Sequence, residues 1–369
     1  MSKQGRRRLI YISESYTTHD RRFLAAAVDN GWNPFWLRCD AGLRTLEDAP
    51  VPNEVEIVDW LGSVEPLVES SCQRFIEALR QTAVSIGPHL VQAGPVPTAG
   101  FVAVSAAVAP VLVTSWGSDL LMLTDVPAAE TRVRAAAALT GASTVLVDCQ
   151  TVAMKAISLG AEIEKIAIIP YGVDLQSFAY SPLRIHPGRL RLLSLRSLEL
   201  PYDVATLLRG LARAAQGAGD SITLTIAGSG SQERSLHELA DVLGISRLVQ
   251  WRGRVSENEV PLLLRDHDVH VSTSLSDGSS ISLLQALASG RPSIVTNLPS
   301  NREWISPGVT GWVFDPGNAE SLADALDRVA AAREDLQSIA ARGRAVAEDR
   351  ANWRENSRLI ADLYRKTVQ

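Results

Sequence analysis

Val271-Ser272-Thr273-Ser274-Leu275-Ser276-Asp277-Gly278-Ser279-Ser280-Ile281-Ser282-Leu283-Leu284-Gln285-Ala286-Leu287-Ala288-Ser289-Gly290-Arg291-Pro292 is the most informative stretch of the chain. It begins as a buried strand, crosses a loop rich in Ser and Gly, opens a helix near Ile281 and stops at Gly290 and Pro292. Loops of this kind turn backbone N–H groups toward an anion at the helix start. Asp277 and the amides of Ser279, Ser280 and Ile281 would then face a ligand, with Gln285 pointing at another part of it. A capped helix with polar surface residues would carry the same sequence.

The same alternation runs outward in both directions. Short β-branched runs at Leu9–Ile12, Pro34–Leu37, Val111–Thr114, Thr144–Val147, Ile166–Ile169, Leu190–Leu195, Thr223–Ala227, Leu248–Trp251, Val269–Thr273, Ser293–Thr296 and Trp312–Phe314 are separated by helical patterns. Strand and helix in regular succession imply parallel sheets covered on both faces, an α/β class. Residues 175–189, with Pro182, Pro187 and Gly188 and no period, read as a linker. The expected organisation is residues 1–174 as one Rossmann-like domain, 190–350 as a second, and 351–369 as a terminal helix. That helix has an incomplete apolar stripe of Trp353, Ile360, Leu363 and Tyr364. Open α/β sheets bind ligands beyond the carboxyl ends of their strands, so two facing domains would enclose a cleft.

Composition narrows the function. The 369 residues carry 36 basic and 41 acidic side chains, a net charge of -5, with 46% hydrophobic residues. Residues 1–172 hold 14 basic and 18 acidic groups. No block of like charge suggests nucleic acid or anionic lipid. Cys39, Cys72 and Cys149 lie far apart and form no Cys-x-x-Cys pair, which fits a reducing cytoplasm rather than a disulfide framework or thiolate zinc site. No apolar run reaches the roughly 20 residues of a membrane span. The start, Met1 to Arg8, leads directly into a strand without a signal-peptide pattern. His267 and His270 belong to a helix-to-strand passage, and Asp266-x-Asp268 reads as a polar loop feeding a strand rather than a cation site. Only Lys3, Lys155, Lys165 and Lys366 are lysines, which leaves 32 arginines.

A second glycine turn, Thr225-Ile226-Ala227-Gly228-Ser229-Gly230-Ser231, enters a helix near Gln232. It suits either anion contact or plain strand-to-helix turning, and it matches neither the Walker loop nor Gly-x-Gly-x-x-Gly. With these elements in place, Arg189 to Phe314 resembles the donor domain of the retaining family 4 glycosyltransferases, whose GT-B fold is two facing Rossmann-like domains. That family carries Glu, seven residues, then Glu, on a segment ending Leu-Leu-Glu-Ala-Met-Ala-x-Gly-x-Pro. Here Leu283-Leu284-Gln285-Ala286-Leu287-Ala288-Ser289-Gly290-Arg291-Pro292 keeps the ending, and Asp277 stands eight residues before Gln285. Leu195-Arg196-Ser197-Leu198-Glu199-Leu200-Pro201-Tyr202-Asp203 resembles the family's diphosphate segment, with Arg196 matching its arginine and Tyr202 where lysine is frequent. Trp251-Arg252-Gly253-Arg254-Val255-Ser256 resembles the loop under the nucleotide base. Ile169-Pro170-Tyr171-Gly172-Val173-Asp174 resembles the family's Pro-Asn-Gly-Val-Asp.

The resemblance implies transfer of a sugar from a nucleoside diphosphate sugar to a small, soluble acceptor, with the anomeric configuration retained by a front-face, metal-independent route. No cofactor is implied, the nucleotide sugar being a substrate. Arg196 and Asp277 would act on the donor. Tyr202, Gly228, Ser229, Gly230, Arg252, Gly253, Arg254, Val255, Ser279, Ser280, Ile281 and Gln285 would hold its nucleotide and diphosphate. On the acceptor side stand His19 and Asp119 with Thr17, Thr18, Trp116 and Gly117, although helix-start polarity and capping account equally for His19 and Asp119. By the same analogy the terminal helix crosses back to the N-terminal domain. Two other classes share these features, a nucleotide-sugar epimerase and a non-catalytic nucleotide-sugar-binding protein. A phosphorylase of this fold is disfavoured, because it needs a donor-domain lysine and Lys366 is the only lysine after Lys165.

Overall fold

The computed structural model describes residues 5–42, 47–123, 129–184, 188–218 and 221–369. The chain forms two units, Met1–Tyr171 with Arg354–Gln369, and Gly172–Trp353. The first holds β1 (Arg7–Ser13), α1 (Thr18–Asp29), β2 (Trp32–Arg38), β3 (Glu56–Ile57), α2 (Cys72–Ile86), β4 (Leu90–Ala93) and α3 (Phe101–Ala106). It continues with β5 (Val111–Thr114), α4 (Ser118–Leu121), α5 (Ala129–Gly141), β6 (Thr144–Val147), α6 (Gln150–Ser158) and β7 (Ile166–Ile168). Its seven strands lie in the order β3-β2-β1-β4-β5-β6-β7, every pair parallel.

Two of these strands escape the pattern reading. β3 is a two-residue exposed edge, and β4 is a four-residue run broken by Gln92. Gln92 is nonetheless fully buried, because its amide is satisfied from elsewhere in the unit. Its Nε2 donates to Thr114 Oγ1 at 3.0 Å, and its Oε1 accepts from the Tyr364 hydroxyl. Tyr364 lies on α14 (Trp353–Thr367), whose Thr367 pairs with Thr144 at 2.9 Å and whose Asn356 Nδ2 donates to the Pro170 carbonyl at 2.8 Å. Polar contacts and the buried Ile360 seat α14, which explains a helix whose apolar stripe alone looks too thin.

The second unit contains β8 (Leu190–Ser194), α7 (Val204–Ala218), β9 (Ile222–Ala227), α8 (Glu233–Val242), β10 (Val249–Gly253), α9 (Val260–Asp266) and β11 (Val269–Ser272). It is completed by α10 (Ile281–Ala288), β12 (Ser293–Thr296), α11 (Pro299–Arg302), β13 (Gly311–Phe314), α12 (Ala319–Ala331) and α13 (Leu336–Arg350). Its six parallel strands follow β10-β9-β8-β11-β12-β13. Alternation along β11 sends Val269 and Val271 to one face and His270 and Ser272 to the other, and all four are buried.

The segment expected as a linker has no regular element where described, and 185–187 lie outside the described residues. It belongs to the second unit because Phe178 is buried in that unit's core and Leu183 packs on it. The chain passes between the units at Tyr171–Gly172 instead. Gly172 sits at φ 61°, and a Cβ there would meet the Ala351 carbonyl oxygen at 2.5 Å.

Both sheets reverse strand order once, between β1 and β4 and between β8 and β11. At such a switch point the flanking loops diverge and leave room for a ligand at the carboxyl ends of the strands.

Candidate functional site

At the β8/β11 switch point the loop after β8 delivers Arg196 and the loop after β11 delivers Asp277. The Arg196 Nη1 donates to Ser280 Oγ at 2.9 Å and to Ser282 Oγ at 3.3 Å. Its Nη2 lies 2.8 Å from Asp277 Oδ2 with both side chains mostly buried, a charge contact without the alignment of a hydrogen bond. The guanidinium carbon sits 4.1 Å from the centroid of the Tyr202 ring. Tyr202 is therefore a platform under the arginine. Such stacking contributes about 0.5 to 2 kcal/mol, depending on desolvation. Tyr202 is fixed in turn, since Thr273 Oγ1 donates to its carbonyl at 2.9 Å and the Leu275 amide donates to the Pro201 carbonyl at 2.8 Å.

The Gly228–Ser231 turn is built against the same loop. A Cβ on Gly228 would lie 2.1 Å from the Arg196 carbonyl oxygen, and one on Gly230 would lie 2.4 Å from that of Leu198. Both glycines are thus required by close backbone approach. The turn's last amide, Ser231 N–H, donates to the Glu199 carboxylate at 2.8 Å, and the Ser231 hydroxyl donates to its other oxygen. These hydrogen bonds hold the exposed Glu199 carboxyl below its usual range. Ser229 is exposed, as are Arg252 and Arg254, while Gly253, at φ 65°, interrupts the β10 register and Val255 packs on the core. Ser279, Ser280 and Gln285 are buried around α10, and Ile281 packs beneath it.

Sequence reasoning missed two residues here. Ser282, two residues beyond Ser280, shares the Arg196 Nη1. His270 is fully buried on β11 with neither ring nitrogen hydrogen-bonded. Burial, reinforced by the Arg196 charge, pushes it down to about 3, so it is neutral at physiological pH. A histidine inside an otherwise apolar strand was the available signal. Asp268, by contrast, is spent on structure, gripping Arg191 at 2.7 Å and its backbone amide at 2.9 Å. Among the described residues no cluster of three or more His, Cys, Asp or Glu is arranged to hold a metal ion.

In the first unit the candidates form a different kind of cluster. His19, at the start of α1, stacks on Trp116 with centroids 5.6 Å apart and meets Tyr171 edge-on at 5.5 Å. Phe23 closes the group against Trp116 and Tyr171 at 5.8 and 5.3 Å. The His19 Nδ1 is buried without a partner, and burial with the nearby Arg22 charge lowers the ring to about 4. Phe23 and Tyr171 were not singled out from the sequence, since their meeting depends on α1 and the end of β7 converging. Thr17 is committed as the N-cap of α1 in a capping box with Asp20, and Thr18 bonds Glu47. Asp119 organises its own loop, accepting from the Val96 amide at 2.9 Å and the Ser115 hydroxyl at 2.7 Å. Burial raises its carboxyl to about 6 against those bonds. Gly117, at φ 83°, makes the bend that leaves Trp116 partly exposed.

The architecture is the GT-B fold. Sucrose-phosphate synthase from Thermosynechococcus elongatus superposes with TM-score 0.84 at 16% identity, over 98% of this chain and 99% of that one. The Anabaena protein HepE in complex with UDP-glucose superposes with TM-score 0.78 at 18% identity, over 97% and 99%. Residues 181–346 match the family Glycosyl transferases group 1. D-inositol 3-phosphate glycosyltransferase of Paenarthrobacter aurescens is 28% identical over 223 residues, 57% of this chain and 53% of that protein. The protein named "Putative colanic acid biosynthesis glycosyltransferase WcaL" of Salmonella typhimurium is 25% identical over 213 residues, 56% of this chain and 52% of that protein. The chain spans about half the length of the curated relatives it matches. Residues 181–346 are thus similar to glycosyltransferases, within a chain of GT-B fold. Among the described residues no helix is long and apolar enough to cross a membrane.

Proposed function

We propose that the chain is a retaining, family 4 hexosyltransferase that moves a sugar from a nucleoside diphosphate sugar to a small soluble acceptor. The observation that carries this reading is Arg196, a cation held at a strand switch point by Tyr202, Ser280, Ser282 and Asp277. In the step proposed, the bond between the anomeric carbon and the diphosphate oxygen breaks. The acceptor oxygen attacks from the same face, and its proton passes to the departing diphosphate. Arg196 and the amides of Ser279, Ser280 and Ile281 stabilise the negative charge that develops there, so the reaction needs no metal ion in that role. Asp277 takes the sugar hydroxyls, Gln285 the ribose, and Arg252, Gly253, Arg254 and Val255 the base. Tyr202 positions Arg196, and Gly228, Ser229 and Gly230 fix the loop that presents it.

His19, Trp116, Gly117 and Thr18 face the acceptor in this reading, and Asp119 and Thr17 act by holding those loops. Three buried cysteine thiols fit a cytoplasmic setting. The reading is tested by thermal shift with UDP, GDP, ADP and dTDP, because a ligand bound only by the folded state raises its melting temperature. One nucleoside diphosphate should do so, and its sugar conjugate should give a glycoside with the donor's own anomeric configuration by NMR. An inverted product would remove the claim of retention.

A further inference from the structure

The Arg196 guanidinium is engaged at both terminal nitrogens and on one face. Nη1 points at the two serine hydroxyls, Nη2 at Asp277, one face lies against Tyr202, and Nε is buried without a hydrogen-bond partner. Among the described residues the only ion paired with Arg196 is Asp277. Serine hydroxyls can rotate and donate to an incoming oxygen, whereas a carboxylate can only accept and repels another anion. Any phosphate that engages Arg196 therefore meets Asp277 as a competitor for Nη2.

We propose that Asp277 is a specificity-determining residue which competes with the nucleoside diphosphate for Arg196. This rests on the reading of the site as a donor site. In the empty site Asp277 holds Arg196. When a nucleotide sugar binds, the diphosphate takes Nη2, and the displaced carboxylate is repaid by hydrogen bonds from sugar hydroxyls. A bare nucleoside diphosphate offers no hydroxyls at that place, so it faces the carboxylate's repulsion uncompensated. The site thus prefers the charged donor over the spent nucleotide, and re-pairing of Asp277 with Arg196 helps expel the product after transfer.

The experiment is calorimetric titration of UDP and UDP-glucose into wild type, Asp277→Asn, Asp277→Glu and Arg196→Ala, with GDP and ADP and their glucose conjugates in parallel. For whichever nucleotide the wild type binds, Asp277→Asn should tighten the bare nucleoside diphosphate about fivefold and weaken its sugar conjugate, moving their ratio about tenfold or more. Asp277→Glu, which keeps the charge, should leave the bare nucleotide close to wild-type affinity. Asp277→Ala is the second neutral variant should Asp277→Asn fail to fold, and it should tighten the bare nucleotide likewise. Weaker or unchanged nucleoside diphosphate binding in the folded neutral variant overturns the competition while leaving the donor site standing. If Arg196→Ala binds all three nucleotides as wild type does, the donor-site reading itself falls and takes this inference with it.

Discussion

The loops at the carboxyl ends of the two sheets do opposite things with charge. In the second unit Arg196 is the centre, and its neighbours are small hydroxyls, a carboxylate and an aromatic face. In the first unit the centre is aromatic, with His19, Phe23, Trp116 and Tyr171 in contact, while Asp119, close to Trp116 in the chain, is consumed by backbone and serine donors. In the function proposed, one cluster meets a leaving diphosphate and the other the apolar face of a neutral ring. The same topology has been given two chemistries by changing what stands in the loops.

The sharpest way to break this contrast is to remove the cation. Arg196→Ala should lower turnover by two or more orders of magnitude, as loss of one preorganised donor costs about 2.7 to 4 kcal/mol. The fold should survive, so circular dichroism and melting serve as the control. Wild-type turnover in that variant would show that the second unit's cluster is structural only.

Next comes the acid of the first unit. Asp119 titrates near 6 when folded against an ordinary value of 3.8, so the folded state binds the proton more tightly than the unfolded state. Its contribution to stability is therefore greatest below pH 3.8 and declines as pH rises through about 6. Asp119→Asn lacks that decline. Relative to wild type the variant should gain about 2 kcal/mol between pH 4 and pH 7 in denaturant unfolding, whatever its fixed offset. A constant difference across that range would mean that Asp119 is fully solvated and does not organise the loop.

A smaller effect separates the two clusters functionally. Trp116→Ala should raise the acceptor KM about tenfold, the loss of roughly 1.4 kcal/mol of ring stacking, while leaving nucleotide affinity unchanged. Equal losses on both substrates would merge the two regions into one site and end the contrast.

These differences also decide what could be read beforehand. Asp277, Ser280 and Gln285 lie within one strand-loop-helix passage, so their spacing survives in the sequence and exposes the donor-like cluster. Arg196 comes from another loop but stands immediately after its strand, which again is a local signal. The aromatic cluster has no such continuity: His19 comes from the first turn of α1 and Trp116 and Tyr171 from two separate loops, and only the sheet order brings them together. β4 was invisible for a related reason, because Gln92 looks wrong for a core until Thr114 and Tyr364 are placed beside it. The expected linker at 175–189 rests on its prolines, Gly188 and lack of period, and none of these signals shows that Phe178 within it is buried.

His270 gives the finest test, because it lies on the charged side of the contrast yet carries no charge itself. Its ring is fully buried with both nitrogens unsatisfied, and such groups cost stability that an apolar side chain of similar size does not. His270→Leu should therefore raise stability by about 1 kcal/mol at pH 7 and change turnover by less than about threefold. The pH dependence adds a sign. The unfolded chain takes up a proton near the ordinary histidine value of 6.5, while the folded ring resists until about 3. Wild type therefore loses stability as pH falls below 6.5, and the variant's advantage should widen by roughly a further 2 kcal/mol at pH 5. Stability that falls on substitution, with turnover falling in step, would mean that His270 holds Arg196 through an ordered water at its unpartnered Nε, and the charged cluster would then extend one layer deeper into the sheet.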